Sequence, residues 1–452
     1  MKYLFLKPLF FLMISYLGAT AVALPGTGGE SEPESEFTNE ALSKLSAEMQ
    51  SEVEALRGWK FKNPVDVGFF TCEEVRAFLH SDKEENVWNE EARAETALKA
   101  IGLIPKDCDP EEQFEEAMMA FVPDGIYDHE KKILRLVKQG DMDPSSLDIR
   151  LTLAHELAHA LDDQYFDLAR LDKVGGGTSD MGHVWGAVIE GSGVTIQERY
   201  NIKAKTLGGF DFQKQKQSQM EEMAKMRTLF EAPPCVSVFM ARFPCGIRFL
   251  QRGDMQKVMA LFMGTSDPGS VGEALQTAVA QPPRSSEQIL HPEKYWKKDC
   301  RDEPVILNDE EVAKRLAEFG LHIEHKDTVG ELLCAIVSSP ADRTVNPMAM
   351  AMPGYWTDEG AAGWGGDRLY LAAPEAGDDA SLQPARGLRI AWFTMWDSAK
   401  DCDEFVELYE KHRILPERST FRLGNQGAVF LFRFSEDERL QLEGRLKSKL
   451  PA

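Results

Sequence analysis

Basic residues are scarce in this chain of 452 residues, which has 51 Lys and Arg against 74 Asp and Glu. The formal net charge of -23 argues against recognition of nucleic-acid phosphates, which depends on clustered Lys and Arg, and against binding to strongly anionic membranes. Cysteine is scarce too. Seven cysteines are too few for a disulfide scaffold in a chain of this length, and an odd number leaves one unpaired in a fully bridged monomer.

The chain also lacks an apolar run long enough to span a hydrocarbon layer of roughly 30 Å. Its N-terminus instead has two lysines, a short apolar run (Leu9–Leu17) and small residues up to Ala23, a pattern typical of a secretory signal peptide. We therefore predict a signal peptide over residues 1–23. We expect the mature protein to be exported as a secreted, periplasmic or cell-surface protein, without stable insertion into a membrane. Residues 24–36 are rich in Gly, Ser, Pro and Glu and are expected to form a disordered linker.

Apolar periodicity divides the rest of the chain into helical and strand-like segments with no regular alternation of the two, which favours a mainly helical α+β fold. The pattern predicts a β-hairpin over residues 125–137 and helices over residues 147–166 and 184–200. Strand-like runs return from about residue 328. We therefore expect one domain over residues 37–327 and a smaller C-terminal α/β lobe over residues 328–452.

The predicted helix over residues 147–166 contains the sequence His155-Glu156-Leu157-Ala158-His159. Residues four apart lie on one face of a helix, so both imidazoles can bind one ion. Glu156 projects about a third of a turn away, where it is poorly placed as a ligand but can reach a metal-bound water as a general base. Three fixed positions make a weak motif, but the apolar flanks indicate a buried helix, and burying these polar groups without a partner is costly. The sequence therefore predicts a Zn²⁺ site.

A catalytic zinc ion usually has three protein ligands and one open position. One class of zinc protein supplies a third histidine six residues after the second, but Tyr165 occupies that position here, which excludes this class. Glu190 is the best candidate because it is a lone carboxylate in a stretch of apolar and small residues. His183 and Glu198 are the alternatives, and each lies about two helical turns from Glu190, so neither can share one ion with it.

Two histidines, one glutamate and an open position suit a zinc ion that lowers the pKa of its bound water toward about 7. Glu156 would take the proton as the water attacks a carbonyl and would pass it to the leaving nitrogen. The sequence thus predicts a zinc metallopeptidase that hydrolyses a peptide or protein substrate.

Over about 50 residues around this motif, the chain resembles the gluzincin-type zinc metalloproteases, in which a glutamate on a following helix completes the metal site. This resemblance implies a zincin-like core. The chain is also similar to a broader group of secreted or surface proteins of unassigned activity with the helix sequence His-Glu-Leu-Thr-His-Ala-Leu-Gln-Asp-Gln. Here Ala158 and Asp162 replace its Thr and first Gln. Segments 125–128, 285–295 and 363–368 are similar to that group as well, which implies that the whole mature chain belongs to one family.

Other residues are candidates for supporting roles. His291 is a loop histidine that can stabilise a developing oxyanion if folding brings it to the zinc, and Tyr200 and Tyr295 are alternatives. Residues of these types are more often packing or surface residues. Asp163, one turn beyond His159, is either a carboxylate that supports a ligand or a solvated charge. The predicted hairpin can offer an edge strand to an extended substrate, or serve only as structure.

Two questions stay open at the level of sequence. Cys235 with Cys245, and Cys72 with Cys108, are candidate pairs in an oxidising compartment, but the sequence does not assign them. The alternative prediction, from another class of function, is a secreted binding or interaction protein with a structural or vestigial zinc site. Such a closed site would recruit a fourth protein ligand, for instance His183 or Asp180.

Overall fold

The computed structural model describes residues 37–447 except 81–87, 122–123, 139–141, 175–176, 267–268 and 375–386. Between residues 211 and 225 it describes only 213, 217, 220 and 224. The predicted signal peptide (residues 1–23) and linker (24–36) lie outside this range. The described chain is α+β, as predicted. None of its described helices combines the length and the apolar character needed to cross a membrane.

Helices predominate in the first three quarters of the chain, and strands cluster near its end. In chain order the elements are α1 (Asn39–Arg57), β1 (Asp66–Phe70), α2 (Cys72–His80), α3 (Glu90–Ala100), α4 (Pro110–Phe121), β2 (Gly125–Asp128), β3 (Ile133–Val137), α5 (Leu147–Phe166), α6 (Leu168–Val174), α7 (Ser179–Leu207), α8 (Arg227–Glu231), α9 (Pro234–Ser237), α10 (Arg242–Leu250), α11 (Met255–Phe262), α12 (Gly269–Ala280), α13 (Ser286–Leu290), α14 (Glu293–Trp296), α15 (Asp309–Ala317), β4 (Leu321–Asp327), α16 (Gly330–Ser338), β5 (Trp364–Pro374), β6 (Arg389–Trp396), α17 (Ala399–His412), β7 (Arg418–Leu423), β8 (Gly427–Phe432) and α18 (Glu436–Lys447).

The strands form two sheets. The smaller has the order β1-β3-β2, with β1 parallel and β2 antiparallel to β3. The predicted hairpin is therefore present, and β2 lies at the edge of its sheet. The larger sheet is antiparallel, with the order β4-β5-β6-β8-β7. Because β4 pairs with β5, this sheet begins before residue 328, the position expected for the start of the C-terminal lobe.

The C-terminal sheet packs onto the helical part of the chain. One hydrophobic cluster joins Leu98 of α3 and Val194 of α7 to Trp392 and Phe430 of the larger sheet. Polar contacts cross the same boundary, since the Tyr409 hydroxyl donates to the carbonyl oxygen of Ile101 over 2.8 Å. The strands and the helices thus share a core.

Helices α7 and α10 cross at a glycine contact. A Cβ atom on Gly246 would lie 1.9 Å from the carbonyl oxygen of Ala187, and one on Gly191 would lie 2.3 Å from the carbonyl carbon of Gly246. Only hydrogen atoms fit between these two backbones. The position of α7 in the molecule therefore depends on small residues at this crossing.

We expect Gly246→Ala to lower the free energy of unfolding by about 1–3 kcal/mol, because the added methyl group overpacks the crossing. Differential scanning calorimetry of the variant should show a lower midpoint. Gly444→Ala is the matched control, since Gly444 lies within α18 with nothing near its Cβ position and alanine favours a helix. An unchanged midpoint for Gly246→Ala would contradict this account of the crossing.

Candidate metal centre

Helix α5 supplies three of the candidate residues. It begins after Ser146, whose side chain accepts a hydrogen bond from the Ile149 amide, and ends at Asp167 in a left-handed conformation with φ 53°. Both features are favourable helix ends. Almost every residue from Leu147 to Asp163 is buried, so the rings in the middle of the helix have packed surroundings.

Helix α7 supplies the fourth residue from the opposite side. Thr178 caps its first turn by accepting from the Met181 amide, and the helix continues for 29 residues. Glu190, Gly193 and Gln197 share one face because they lie three and seven residues apart. That face contacts α5, since a Cβ atom on Gly193 would lie 2.7 Å from Cε1 of His159 and 2.8 Å from Cε1 of His155. The absence of a side chain at Gly193 makes room for both rings.

Three donor atoms meet between these helices. His155 Nε2 lies 2.8 Å from His159 Nε2, and Glu190 Oε2 lies 3.3 Å from the first and 3.8 Å from the second. The three residues are buried, with exposed fractions of 2%, 0% and 4% for His155, His159 and Glu190. The structure therefore brings together the three residues that the sequence predicts as metal ligands.

The spacing fits one small cation. Zinc bonds of about 2.0–2.1 Å at tetrahedral angles separate neighbouring donor atoms by roughly 3.3 Å, which lies within the observed range. His155 Nδ1 lies 3.1 Å from Gln197 Oε1, and since an amide oxygen only accepts, this contact places a proton on Nδ1. In the neutral ring, Nε2 then carries the lone pair that a metal ion needs. Glu190 Oε2 accepts no well-formed hydrogen bond from any described residue. A divalent cation would satisfy it.

Glu156 lies beside this trio with a different partner. Its Oε2 accepts a hydrogen bond of 2.7 Å from the Tyr127 amide on β2. Burial raises the pKa of Glu156 to about 8, and the Glu190 charge adds to the rise, whereas His155 and the Tyr127 amide lower it. Burial also lowers the pKa of His159 well below its ordinary value. A neutral imidazole is the form that binds metal.

A buried ionic contact ties three helices together next to the candidate ligands. Arg57 at the end of α1 donates to Asp162 of α5 over 2.9 Å and also to the hydroxyl of Ser192 on α7, which in turn donates to Asp162. Arg57 and Asp162 are almost fully buried. Since Asp162 and Ser192 are close in sequence to His159 and Glu190, this contact fixes the spacing of α5 and α7 near the donor atoms.

Asp163 supports the hairpin and makes no described hydrogen bond to either histidine. Its carboxylate accepts from the Tyr127 hydroxyl over 2.6 Å, from Lys132 Nζ over 2.8 Å and from the Leu168 amide over 2.8 Å. The interpretation of Asp163 as a solvated charge is therefore wrong. The carboxylate acts on the candidate site through Tyr127, whose amide contacts Glu156.

The candidates for oxyanion stabilisation have other contacts. His291 Nε2 lies 2.9 Å from Glu331 Oε1, the Tyr295 hydroxyl donates to the Gln281 carbonyl oxygen, and Tyr200 accepts from Arg150. None of the described contacts brings these residues to the donor trio. The oxyanion role of His291 thus stays a prediction without structural support.

The alternative ligands stay outside the donor trio. Among the described residues, the cluster with metal-binding spacing at this place contains His155, His159 and Glu190, and neither His183 nor Asp180 joins it. Asp180 accepts from the Ser286 amide. A fourth protein ligand that would close the coordination sphere is therefore missing from the described part of the chain.

Sequence reasoning missed several supporting residues. Gln197 could have been found, because it is seven residues after Glu190 and shares its helical face. Tyr127 contacts Glu156 through its backbone amide, and Arg57 is about a hundred residues away in sequence from the two histidines. No local sequence pattern therefore identifies either residue. Gly193 and Gly191 lie close together on α7 but face different partners, Gly193 the two imidazole rings of α5 and Gly191 the backbone of α10.

Comparison with known proteins gives one match. A family model described as a domain of unknown function (DUF8575) matches residues 317–442, which include the larger sheet and much of α18 but none of the candidate ligands. No curated protein and no solved structure matches the chain.

We expect Gly193→Ala to reduce metal affinity at this site by more than tenfold, because the added methyl group would displace both imidazole rings from the positions that face Glu190. Isothermal titration of the metal-free protein with Zn²⁺ measures the effect. Gly444→Ala should bind metal like the native chain. If Gly193→Ala binds with native affinity, the close contact between Gly193 and the rings has no role in the site.

Proposed function

We propose that the protein is a zinc metallopeptidase in which His155, His159 and Glu190 hold the metal ion and Glu156 is the general base. The observation that supports this most directly is the meeting of the three donor atoms at distances of 2.8, 3.3 and 3.8 Å. The Glu156 carboxylate, on the same helix as the two histidines, is held separately beside them by the Tyr127 amide. Two histidines and a glutamate are a ligand set of hydrolytic zinc sites.

A zinc ion held by these residues would supply Lewis-acid chemistry, polarising the scissile carbonyl group and acidifying a water molecule. Glu156 does the proton transfer. Its Oε2 is held by the Tyr127 amide, which leaves Oε1 to take a proton from the attacking water and to deliver it to the leaving nitrogen. Its raised pKa suits a group that must both take and give a proton near neutral pH.

The position of the hairpin supports a peptide as the substrate. β2 pairs with β3 on one side and is the edge strand of its sheet, and it packs beside α5 at Glu156. All four residues of β2 are buried and the Tyr127 amide donates to Glu156, so an extended peptide can align with this edge by main-chain hydrogen bonds only where the covering segments uncover it. The resemblance to gluzincin-type proteases fits this arrangement of hairpin, α5 and α7, and we extend the proposal to a zincin-like core and to export of the mature protein.

Variants that remove a side-chain charge without changing side-chain size distinguish the role of the general base from the role of the metal ligands. We expect the native chain and Glu156→Gln to contain stoichiometric zinc, whereas Glu190→Gln should lose most of it because a neutral amide is a weaker ligand. Digestion of a peptide library, read by mass spectrometry, should show cleavage by the native chain and a loss of about 10²–10⁴-fold in rate for Glu156→Gln. A native chain without bound metal would overturn the proposal.

The near-complete burial of the candidate ligands favours a second function, that of an interaction protein with a structural or vestigial zinc site. Glu156 and Glu190 are only 3% and 4% exposed, so a peptide reaches them only if the covering segments move. The same experiment separates the two functions. Stoichiometric zinc with no cleavage by the native chain, and with unfolding upon zinc removal, would favour the structural role.

His291→Ala tests the remaining predicted catalytic residue. If His291 stabilises an oxyanion, the variant should lose kcat by about tenfold or more with little change in its melting temperature. Its contact with Glu331 gives the opposite expectation, a lower melting temperature with kcat preserved. We expect the second result, and peptide-cleavage kinetics together with a melting curve decide between them.

A further inference from the structure

A cavity of about 560 Å³ lies at the N-terminal end of α7. Its wall combines the start of this helix with the segment before α13, the segment before α15 and the start of β5. The residues of the candidate metal centre, His155, Glu156, His159 and Glu190, do not line it. Cavities of this volume are typical of sites that bind small molecules.

Most residues of the wall are apolar. Two tryptophans, Trp185 of α7 and Trp364 of β5, line the cavity together with two proline-containing segments, residues 282–283 and 304–307. The second segment is held against β5, since the Val305 amide donates to a carbonyl oxygen of that strand over 2.7 Å. The Val305 side chain is 48% exposed, so the apolar lining reaches the protein surface there.

The acidic residues of the wall carry little unpaired charge. Asp367 accepts hydrogen bonds from two backbone amides at the start of α16. Asp309 accepts from Arg368 over 3.1 Å and from Lys326 over 2.8 Å. Burial raises the pKa of Asp180 well above its ordinary value, which favours the uncharged carboxyl group. The wall is therefore less negative than its three aspartates suggest.

Arg284 and Trp185 favour a ligand that accepts hydrogen bonds. The Arg284 side chain is 49% exposed, and its ion pair with Glu303 is long, at 3.7 Å. Glu303 is also paired with Arg301, over 2.6 Å, so positive charge is in excess at this place. The Trp185 indole nitrogen makes no hydrogen bond with any described residue, and an indole N–H can only donate.

We propose that this cavity binds a small carboxylic acid with an apolar body, of the kind represented by a medium-chain fatty acid. The apolar body lies against Trp185 and Trp364, and the carboxylate pairs with Arg284. A guanidinium group suits this role because it can donate two parallel hydrogen bonds to one carboxylate. The proposal does not depend on a bound metal ion or on peptidase activity.

Octanoate is the probe, and isothermal titration of the full native chain measures its binding. We expect saturable binding that is roughly tenfold weaker for hexanoate, because each buried methylene group contributes about fourfold in affinity. Octylammonium, which has the same apolar chain and the opposite charge, should bind more weakly than octanoate. Absence of saturable octanoate binding, or binding of octylammonium at least as tight as that of octanoate, would overturn the proposal.

Variants of Arg284 test the position of the carboxylate. Arg284→Gln should weaken octanoate binding by about five- to tenfold, since the ion pair is partly exposed, and should leave the affinity for the uncharged octan-1-ol unchanged. Arg227→Gln is the matched control because it changes an arginine on α8 whose side chain is 76% exposed, and it should bind octanoate like the native chain. Native octanoate affinity in a folded Arg284→Gln variant would contradict the proposed pairing.

Fluorine NMR of the chain labelled with 5-fluorotryptophan locates the ligand. Octanoate should shift the resonances of Trp185 and Trp364, identified by their loss in the Trp→Phe variants, and should leave that of Trp392 in the larger sheet unchanged. The shifts should be the same in the metal-free and the zinc-loaded protein. Shifts that require zinc would place octanoate at the metal centre, and a shift of Trp392 without Trp185 or Trp364 would place it elsewhere; either result rejects this site.

Discussion

Two imidazole nitrogens and a carboxylate oxygen that meet in a protein interior need a proton or a cation between them. Isolated burial of such groups costs several kcal/mol, and here they are held at short distances by α5 and α7. Their meeting is possible because Gly193 has no side chain to fill the same space. Glycine in the middle of a helix costs about 0.5–1 kcal/mol relative to alanine. Gly193 therefore lowers the stability of the helix but leaves space for the two rings.

The rest of the fold near this point resists the separation of the two helices. Arg57, Asp162 and Ser192 connect α1, α5 and α7 through buried charge-assisted hydrogen bonds, and removing one member would leave an unpaired charge in the interior. On its other face, α7 is positioned by the contact of Gly191 with Gly246 on α10. The helix that supplies Glu190 is thus fixed from two sides by contacts that tolerate little movement.

Much of this arrangement could be predicted from the sequence where local patterns are strong. The bounds of α5 match the predicted helix over residues 147–166, because a capping serine and a continuous apolar pattern define them. Strands β4 and β7 were missed. Both are edge strands of the larger sheet, and their polar residues, such as His322 and Glu324 on β4, weaken the alternation that identifies a strand. Contacts such as that of Arg57 with Asp162 arise only from the packing of elements that are distant in sequence, so no local sequence pattern predicts them.

The hairpin connects Glu156, the proposed general base, to the outer edge of the small sheet. Tyr127 on β2 contacts α5 twice, through its amide to Glu156 and through its hydroxyl to Asp163, and Lys132 adds a third contact at the turn. Movement of the hairpin away from α5 would therefore release the Glu156 carboxylate as well as uncover it. The candidate ligands are almost fully buried, so the proposed peptidase function depends on an opening of this kind. All four residues of β2 are buried, whereas Lys132 at the turn is about half exposed, so α5 covers the strand while the turn faces solvent. The small sheet and α7 thus both pack against α5, one at Glu156 and the other at the two histidines.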